Sequence, residues 1–309
     1  MHFAMLGSGA VGGYYGARLA RAGHRVTFVA RGAHLRAIRE RGLLVWSPLG
    51  DFVTRADATD DPSTVHDADV VVVAVKGYDN ATAFAALPAM VGPQTLVLTL
   101  QNGVESADEL AACVGREKVI GGPTYVATGL RAPGLIVQNG THRRIVVGEL
   151  LDPPAQVTDR VRRIAEVLAA ADIQAEAVAD GRVPLWEKLM FLSPLAGLCA
   201  AMRRPTSAVW HDPFAREVFL AGAREVEAVA LAEGVPVPID ATDRMISYLD
   251  ALPPSMTPSL LIDLSAGKRL EVEALQGAVV RRGRKHGLPT PVHDTLYATL
   301  KPHANGAAV

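Results

Sequence analysis

Three glycines near the start of the chain have the spacing of a phosphate-binding turn. Gly7, Gly9 and Gly12 form the pattern G-x-G-x-x-G directly after the apolar run 3–6. In such a turn the first glycine permits a tight bend, the second lets a diphosphate approach the backbone, and the third lets the next helix pack closely on the strand. The start of that helix offers free backbone N–H groups and a positive dipole end to an anion. The alternative is a glycine turn that serves only the backbone. The pattern favours a dinucleotide site formed by Gly7, Ser8, Gly9, Ala10, Val11 and Gly12.

The residue after the second predicted strand indicates which dinucleotide binds. NAD-binding folds usually place Asp or Glu at the end of this strand, here 25–30, to bind the ribose 2′-hydroxyl. The chain instead has Arg31. A guanidinium can bind a 2′-phosphate through two parallel hydrogen bonds, whereas a carboxylate would repel it. The sequence therefore favours NADP(H) over NAD(H), unless Arg31 is only a solvated arginine.

Two polar residues follow later strands of the same predicted sheet. Lys76 comes after the run 70–75, and Asn102 after the run 95–100. Because ligands of open α/β sheets bind beyond the carboxyl ends of the strands, we expect both to contact the cofactor or the substrate. The alternatives are a solvated loop lysine and a turn residue before Gly103.

One lysine of the second half of the chain has the surroundings of a proton donor. Lys188 lies in a predicted helix that is apolar on nearly every side. Burial penalises an ammonium and lowers its pKa toward neutrality, which suits proton transfer. Lys188 could instead extend its amine to solvent from the edge of the helix. Glu271 could pair with Lys188, or it could simply be an acidic residue in the first turn of a helix.

The pattern of strands and helices predicts how these residues are positioned. Strands and helices alternate through the first half, and the valine-rich run 70–75 is typical of a parallel strand buried on both faces. We therefore predict an α/β protein with an N-terminal Rossmann-type, doubly wound parallel sheet. Short strands near 135–147 suggest an antiparallel extension, and 173–178 is the last predicted strand. Long helices are expected at 185–202, 213–233, 241–252, 270–286 and 291–301.

This division predicts two domains, a dinucleotide-binding domain at 1–180 and an all-helical substrate and dimerisation domain at 181–309. A hairpin is expected from the strands at 43–46 and 51–54. The apolar stretch 189–202 contains Ser193 and Pro194 and is too short to span a bilayer.

The composition excludes several classes of protein. The chain has 309 residues, 49% of them hydrophobic, and a formal net charge of −1, so nothing favours binding to nucleic acid or an anionic membrane. The two cysteines, Cys113 and Cys199, are far apart, which fits a reducing cytoplasm, and no histidine cluster predicts a metal site. The apolar helical half of the chain suggests a homodimer, although the residues of a core and of an interface look alike in sequence.

Taken together, these motifs resemble the ketopantoate reductase (2-dehydropantoate 2-reductase) family over nearly the whole chain. The resemblance is carried by the glycine turn, the residues around Lys76, the sequence Gln101-Asn102-Gly103, the helix around Lys188, and the stretch from Ser259 to Gln276-Gly277. It implies reduction of a 2-keto acid to a 2-hydroxy acid with NADPH.

The resemblance also implies roles for individual residues. Lys188 matches the lysine that protonates the nascent alkoxide, and Glu271 the glutamate that binds the substrate hydroxyl and orients the lysine. Ser259 matches a substrate-binding serine, and Lys76 and Asn102 match residues near cofactor and substrate.

At two positions the chain departs from the family. Well-studied members have asparagines four and eight residues after the lysine, and here these positions are Leu192 and Ala196. Both lie on the helical face of Lys188, so they are expected to line the substrate site. From the resemblance as a whole we predict an NADPH-dependent reductase. Its first expected substrate is 2-dehydropantoate, which gives it a role in pantothenate biosynthesis. A less polar keto acid or other carbonyl substrate is the first alternative, and a non-catalytic NADP(H)-binding regulatory protein is the second.

Overall fold

The chain folds into two compact units, which a computed structural model describes for residues 1–307. The first unit comprises Met1–Gln101 and Ser106–Arg182, and the second comprises Asn102–Glu105 together with the chain from Val183 onward. The segment Asn102–Glu105 therefore follows a strand of the first unit but packs with the second. Its last residue, Glu105, forms an ion pair of 2.7 Å with Arg281 of the second unit.

The first unit contains the strands of the described chain. In order these are β1 His2–Leu6, β2 Arg25–Val29, β3 Leu43–Trp46, β4 Phe52–Thr54, β5 Asp57–Thr59, β6 Val70–Val73, β7 Leu96–Thr99, β8 Val119–Gly121, β9 Thr124–Tyr125, β10 Thr128–Ala132, β11 Leu135–Gln138, β12 Arg144–Glu149 and β13 Gln174–Asp180. Its helices are α1 Ala10–Arg21, α2 Gly32–Arg41, α3 Asn80–Phe84, α4 Leu87–Met90, α5 Ser106–Val114 and α6 Asp159–Ala170.

The main sheet has the strand order β13-β12-β8-β7-β6-β1-β2-β5. The strands from β5 to β8 are parallel, and their order is that of a doubly wound dinucleotide-binding sheet, which reverses direction between β1 and β6. The four valines of β6 are at most 2% exposed, as expected for a strand buried on both faces. The predicted α/β fold is confirmed.

The antiparallel extension is more divided than the sequence indicated. β12 joins the main sheet, antiparallel to β8 and parallel to β13. β11 belongs to a separate sheet, in the order β10-β11-β3-β4, together with the hairpin of β3 and β4 that the sequence predicts. The short strands β5, β9 and β10 and the helix α5 had no clear sequence signal.

The described part of the second unit contains helices and no strand. These are α7 Arg182–Met202, which begins at the last residue of the first unit, α8 Thr206–Trp210, α9 Pro213–Ala232, α10 Ala241–Asp250, α11 Ser259–Ser265, α12 Ala278–Lys285 and α13 Pro291–Leu300. The single helix expected at 270–286 was wrong in its first half. There the chain forms the π-helical turn Glu273–Gly277, which leads into α12.

α7 is longer than the apolar stretch that the sequence suggested. It has 21 residues and continues through Pro194. By length and composition it could cross a membrane, but most of its apolar window is buried within the fold, as in a core helix. Because Pro194 has no N–H, the carbonyl of Met190 loses its usual donor within the helix.

Candidate active site

The glycine turn of the first unit has the geometry of a dinucleotide cradle. Gly7 has a φ of +99°, and a Cβ there would lie 2.6 Å from the backbone nitrogen of Val75. A Cβ on Gly12 would lie 2.1 Å from the carbonyl oxygen of Gly7. In contrast, a Cβ on Gly9 would have no protein atom within 4 Å. The fold itself therefore requires Gly7 and Gly12, whereas the space at Gly9 remains for a ligand.

The helix that follows this turn presents an open N-terminus. Gly9 is the N-cap of α1, and no side chain caps it. The first N–H groups of α1, at Ala10 and Val11, have no carbonyl partner within a helix and can bind an anion. These features fit the diphosphate of a dinucleotide.

Ser8 also connects the turn to the neighbouring strand. Its hydroxyl donates to the carbonyl of Val29 at 3.0 Å, and its backbone N–H donates to the same oxygen at 3.3 Å. Ser8 therefore joins the end of β1 to the end of β2.

His34 supports the turn, a role that the sequence did not reveal. Its Nδ1 accepts a hydrogen bond of 3.0 Å from the N–H of Gly134, so its Nε2 carries the proton and donates to the carbonyl of Ser8 at 2.7 Å. Burial lowers the pKa of His34 and so favours the neutral ring. The hydrogen bond to the carbonyl of Ser8 acts in the opposite direction. In the sequence His34 had no signal beyond its place at the start of a predicted helix.

Arg31 and Lys76 lie at the carboxyl ends of two strands that flank β1. Arg31 follows β2 as the exposed N-cap of α2, and its side chain makes no capping bond. Lys76 follows β6, directly after the residues that contact Gly7. β1 lies between β2 and β6 in the sheet, so both cations belong to the edge that carries the glycine turn.

In the second unit, Lys188, Asn102 and Glu271 form a hydrogen-bonded group. The Nζ of Lys188 donates to Oδ1 of Asn102 at 2.8 Å, and Nδ2 of Asn102 donates to Oε2 of Glu271 at 3.5 Å. The ammonium can only donate and the carboxylate can accept, so the amide is oriented by both neighbours. Asn102, predicted near the cofactor or the substrate, is thus a partner of the lysine.

This environment changes the acidity of the lysine. Burial lowers the pKa of Lys188 from 10.5 to about 8, and the negative charge of Glu271 opposes the shift. At neutral pH the amine is still mostly protonated, yet it gives up its proton far more readily than a solvated lysine. Lys188 can therefore protonate an oxyanion that forms beside it.

The turn that presents Glu271 also receives the segment of Asn102. Gly103 has a φ of +89°, and a Cβ there would lie 2.5 Å from the carbonyl oxygen of Ala274 in the π-helical turn. The Asn-Gly pair is a sequence signal for such a turn, but it does not indicate this packing. Glu271 is 6% exposed and precedes the turn, so it is not a solvated acid in the first turn of a helix.

The other predicted substrate residues differ in their surroundings. Leu192 and Ala196 lie one and two turns after Lys188 on α7, Leu192 partly buried and Ala196 buried. Ser259 is the exposed first residue of α11, and within residues 1–307 its side chain makes no hydrogen bond to the group around Lys188.

Within residues 1–307 there is no group of three or more His, Cys, Asp or Glu side chains that could hold a metal ion. Two cavities of the second unit, of about 430 and 650 Å³, are lined by other residues, around Trp210 and Ile262.

The chain matches known proteins over nearly its whole length. The family model described as ketopantoate reductase PanE/ApbA matches residues 3–152, and the model of the C-terminal part of the same family matches residues 182–304. The 2-dehydropantoate 2-reductase of Nostoc sp. is 32% identical over 302 residues, which cover 97% of this chain and 94% of the relative. That of Archaeoglobus fulgidus is 34% identical, with coverage of 94% of both chains.

A solved structure gives the same result. The PanE/ApbA family ketopantoate reductase from Ralstonia eutropha JMP134 superposes with a TM-score of 0.89 at 34% identity, covering 98% of each chain. The chain is therefore an oxidoreductase that belongs to the ketopantoate reductase family.

Proposed function

We propose that this protein reduces a 2-keto acid to a 2-hydroxy acid with NADPH, and that 2-dehydropantoate, which yields pantoate for pantothenate biosynthesis, is the first substrate to test. The observation that carries the proposal is the amine of Lys188, whose pKa of about 8 and bond to Asn102 suit a proton donor. The names of the relatives support the choice of keto acid.

In the proposed reaction, Lys188, Asn102 and Glu271 of the second unit have different roles. NADPH held by the glycine turn of the first unit would supply the hydride for the carbonyl carbon. Lys188 stabilises the negative charge that develops on the carbonyl oxygen and then donates its proton to that oxygen. Asn102 fixes the direction of the amine through its Oδ1, and Glu271 keeps the amine charged until the proton is needed.

In the first unit, the proposed cofactor residues are those of the glycine turn, with Arg31 for the 2′-phosphate and Lys76 beside the turn. The proposal assigns cofactor binding to residues 1–180, and substrate binding and dimerisation to residues 181–309. Cytoplasmic function agrees with the two cysteines, which are both free.

A panel of keto acids tests the proposal directly. Oxidation of NADPH and of NADH is followed with 2-dehydropantoate and with keto acids that have aliphatic or aromatic side chains. We expect turnover with NADPH and at least one keto acid, and no comparable turnover with simple aldehydes. Tight binding of NADPH by calorimetry without turnover of any acid would instead support a regulatory protein.

The preference for NADPH is expected to depend on Arg31. Arg31→Ala removes a charge-assisted contact, which is worth about 1.5–3 kcal/mol, so KM for NADPH should rise roughly 10- to 150-fold while KM for NADH stays the same. Arg39→Ala on the same helix is the control, because Arg39 already donates to the carbonyl of Ala58. An equal rise of both KM values would exclude recognition of the 2′-phosphate by Arg31.

A less polar keto acid is the second candidate substrate, and Leu192 favours it. This side chain lies one turn after Lys188 and offers no hydrogen bond to a substrate hydroxyl. Leu192→Asn should raise kcat/KM for 2-dehydropantoate, relative to an aliphatic keto acid, by about 10- to 100-fold, because a site that binds a hydroxyl discriminates strongly. Leu231→Asn, at an exposed position of α9, is the control. An unchanged ratio would place the substrate side chain away from Leu192.

A further inference from the structure

Gln276 is a fully buried polar residue in the π-helical turn that follows Glu271. It is 0% exposed, and its Nε2 donates to the backbone carbonyl of Ser193 on α7 at 2.6 Å. Since a carbonyl can only accept, this contact fixes the orientation of the amide. Ser193 lies five residues after Lys188, and Gln276 lies five residues after Glu271. One hydrogen bond thus joins the segments that carry the proton donor and its carboxylate.

The backbone between Glu271 and Gln276 is held by its own hydrogen bonds. The carbonyl of Glu271 accepts from the N–H groups of Ala274 and Leu275, both at 3.1 Å, and the carbonyl of Val272 accepts from Gly277 at 2.9 Å. A turn closed in this way moves as a unit. An anchor at Gln276 therefore restricts where Glu271 can lie.

On the side of α7, the hydrogen bond from Gln276 lies beside a proline. Pro194 removes one helical hydrogen bond from α7, the one to the carbonyl of Met190, which lies between Lys188 and Ser193. The bond from Gln276 ends on the carbonyl immediately before this proline. It therefore adds a restraint to α7 next to the position where the helix lacks one of its own hydrogen bonds.

The amide of Gln276 packs against Gly197, where a side chain would collide with it. A Cβ on Gly197, one turn after Ser193, would lie 3.0 Å from Nε2 of Gln276 and 2.8 Å from Cδ1 of Leu296. The arrangement also has a cost, because Oε1 of Gln276 and Oγ of Ser193 are buried and have no hydrogen-bond partner within residues 1–307. An apolar side chain of the same size would avoid the cost of the amide, so stability alone does not account for a glutamine here.

We propose that Gln276 is a positioning residue that holds the ammonium of Lys188, the amide of Asn102 and the carboxylate of Glu271 in register. It does so by tying the turn 271–277, on which Gly103 also packs, to helix α7. The catalytic consequence rests on the proposed function, whereas the positioning itself can be measured without turnover.

The test measures the pKa of Lys188 by NMR of ¹³C-labelled lysine. The chain has six lysines, and the signal missing from Lys188→Ala identifies the one required. Glu271 is the charged group that acts on Lys188, while Glu187, the neighbouring acid on α7, pairs with Arg244 of α10. Glu271→Gln should therefore lower the pKa of Lys188. In the background of Gln276→Met, the same substitution should lower it by less than half as much.

Kinetics give the second readout. Gln276→Met should lower kcat for the keto acid by about 10- to 100-fold, as expected when a reacting group is misplaced, and leave KM for NADPH unchanged. Gln138→Met is the matched control, because Gln138 is also buried, at 2% exposed, and donates from its Nε2 to a backbone carbonyl at 3.0 Å, in the first unit. It should lower Tm in a similar way and leave the pKa of Lys188 unchanged.

An equal effect of Glu271→Gln in both backgrounds would overturn the proposal and leave Gln276 a purely structural residue. If Gln276→Met does not fold, Gly197→Ala displaces the amide more gently and should reduce the Glu271 effect in the same direction. If the wild type reduces no keto acid, the proposed function fails, while the NMR result still decides whether Gln276 positions Lys188.

Discussion

Replacement of Lys188 by alanine is expected to lower kcat by about two to four orders of magnitude, the range for loss of a positioned proton donor. The variant keeps Asn102 and Glu271, but no group remains to protonate the oxygen that becomes negative. Because the proposed cofactor residues lie in the first unit, the Kd for NADPH should stay within about twofold of the wild type. Stopped-flow reduction of the keto acid and calorimetry of NADPH binding measure the two quantities.

The pH dependence of the wild type provides an independent check of the same role. The donor must be charged, so kcat/KM should be constant well below pH 8 and fall about tenfold per pH unit well above the pKa of Lys188, which is about 8. Glu271→Gln removes the charge that raises this pKa, so the fall should begin at a lower pH. Lys268→Ala, at an exposed position of the second unit, should match the wild type throughout. A Lys188→Ala enzyme with normal kcat, or a profile without a fall above pH 8, would remove Lys188 from the reaction.

The features that could be predicted from the sequence are those that depend on local geometry. Gly7 needs a positive φ and Gly12 has a backbone oxygen where a Cβ would be, so the spacing of these glycines encodes the turn directly. The burial of β6 could likewise be predicted from its continuous run of valines. Lys188 could be predicted as a site residue because burying an ammonium in an apolar helix is costly unless a partner stabilises it.

The features that could not be predicted depend on tertiary contacts. The apolar pattern of 270–286 is compatible with one regular helix, and the π-helical turn is evident only with its contacts to Gly103 and to α7. Likewise, Asn102 follows β7 in the sequence, yet the positive φ of Gly103 and the ion pair of Glu105 belong to the packing of the second unit. The sequence therefore indicated Asn102 as a polar residue near the site, but it did not indicate that Asn102 accepts a hydrogen bond from Lys188.

Gly9→Ala is expected to weaken NADPH binding on the order of 100-fold while leaving the fold intact. The added Cβ has no protein atom within 4 Å, so only a ligand can collide with it. A diphosphate held further from the backbone loses charge-assisted hydrogen bonds from the start of α1, each worth about 1.5–3 kcal/mol. The free energy of unfolding should change by less than about 1 kcal/mol, the cost of alanine at an N-cap. Calorimetry of NADPH binding and thermal unfolding without cofactor measure the two effects.

Two other glycines separate this effect from a general intolerance of side chains. Gly129→Ala also places a Cβ in open space within the first unit, so both binding and stability should remain those of the wild type. Gly12→Ala forces a Cβ against the carbonyl of Gly7 and should lose stability and binding together. A Cβ at Gly9 has room in the protein but would collide with a diphosphate bound on the turn. Normal NADPH affinity in Gly9→Ala would therefore show that the cofactor does not lie on this turn.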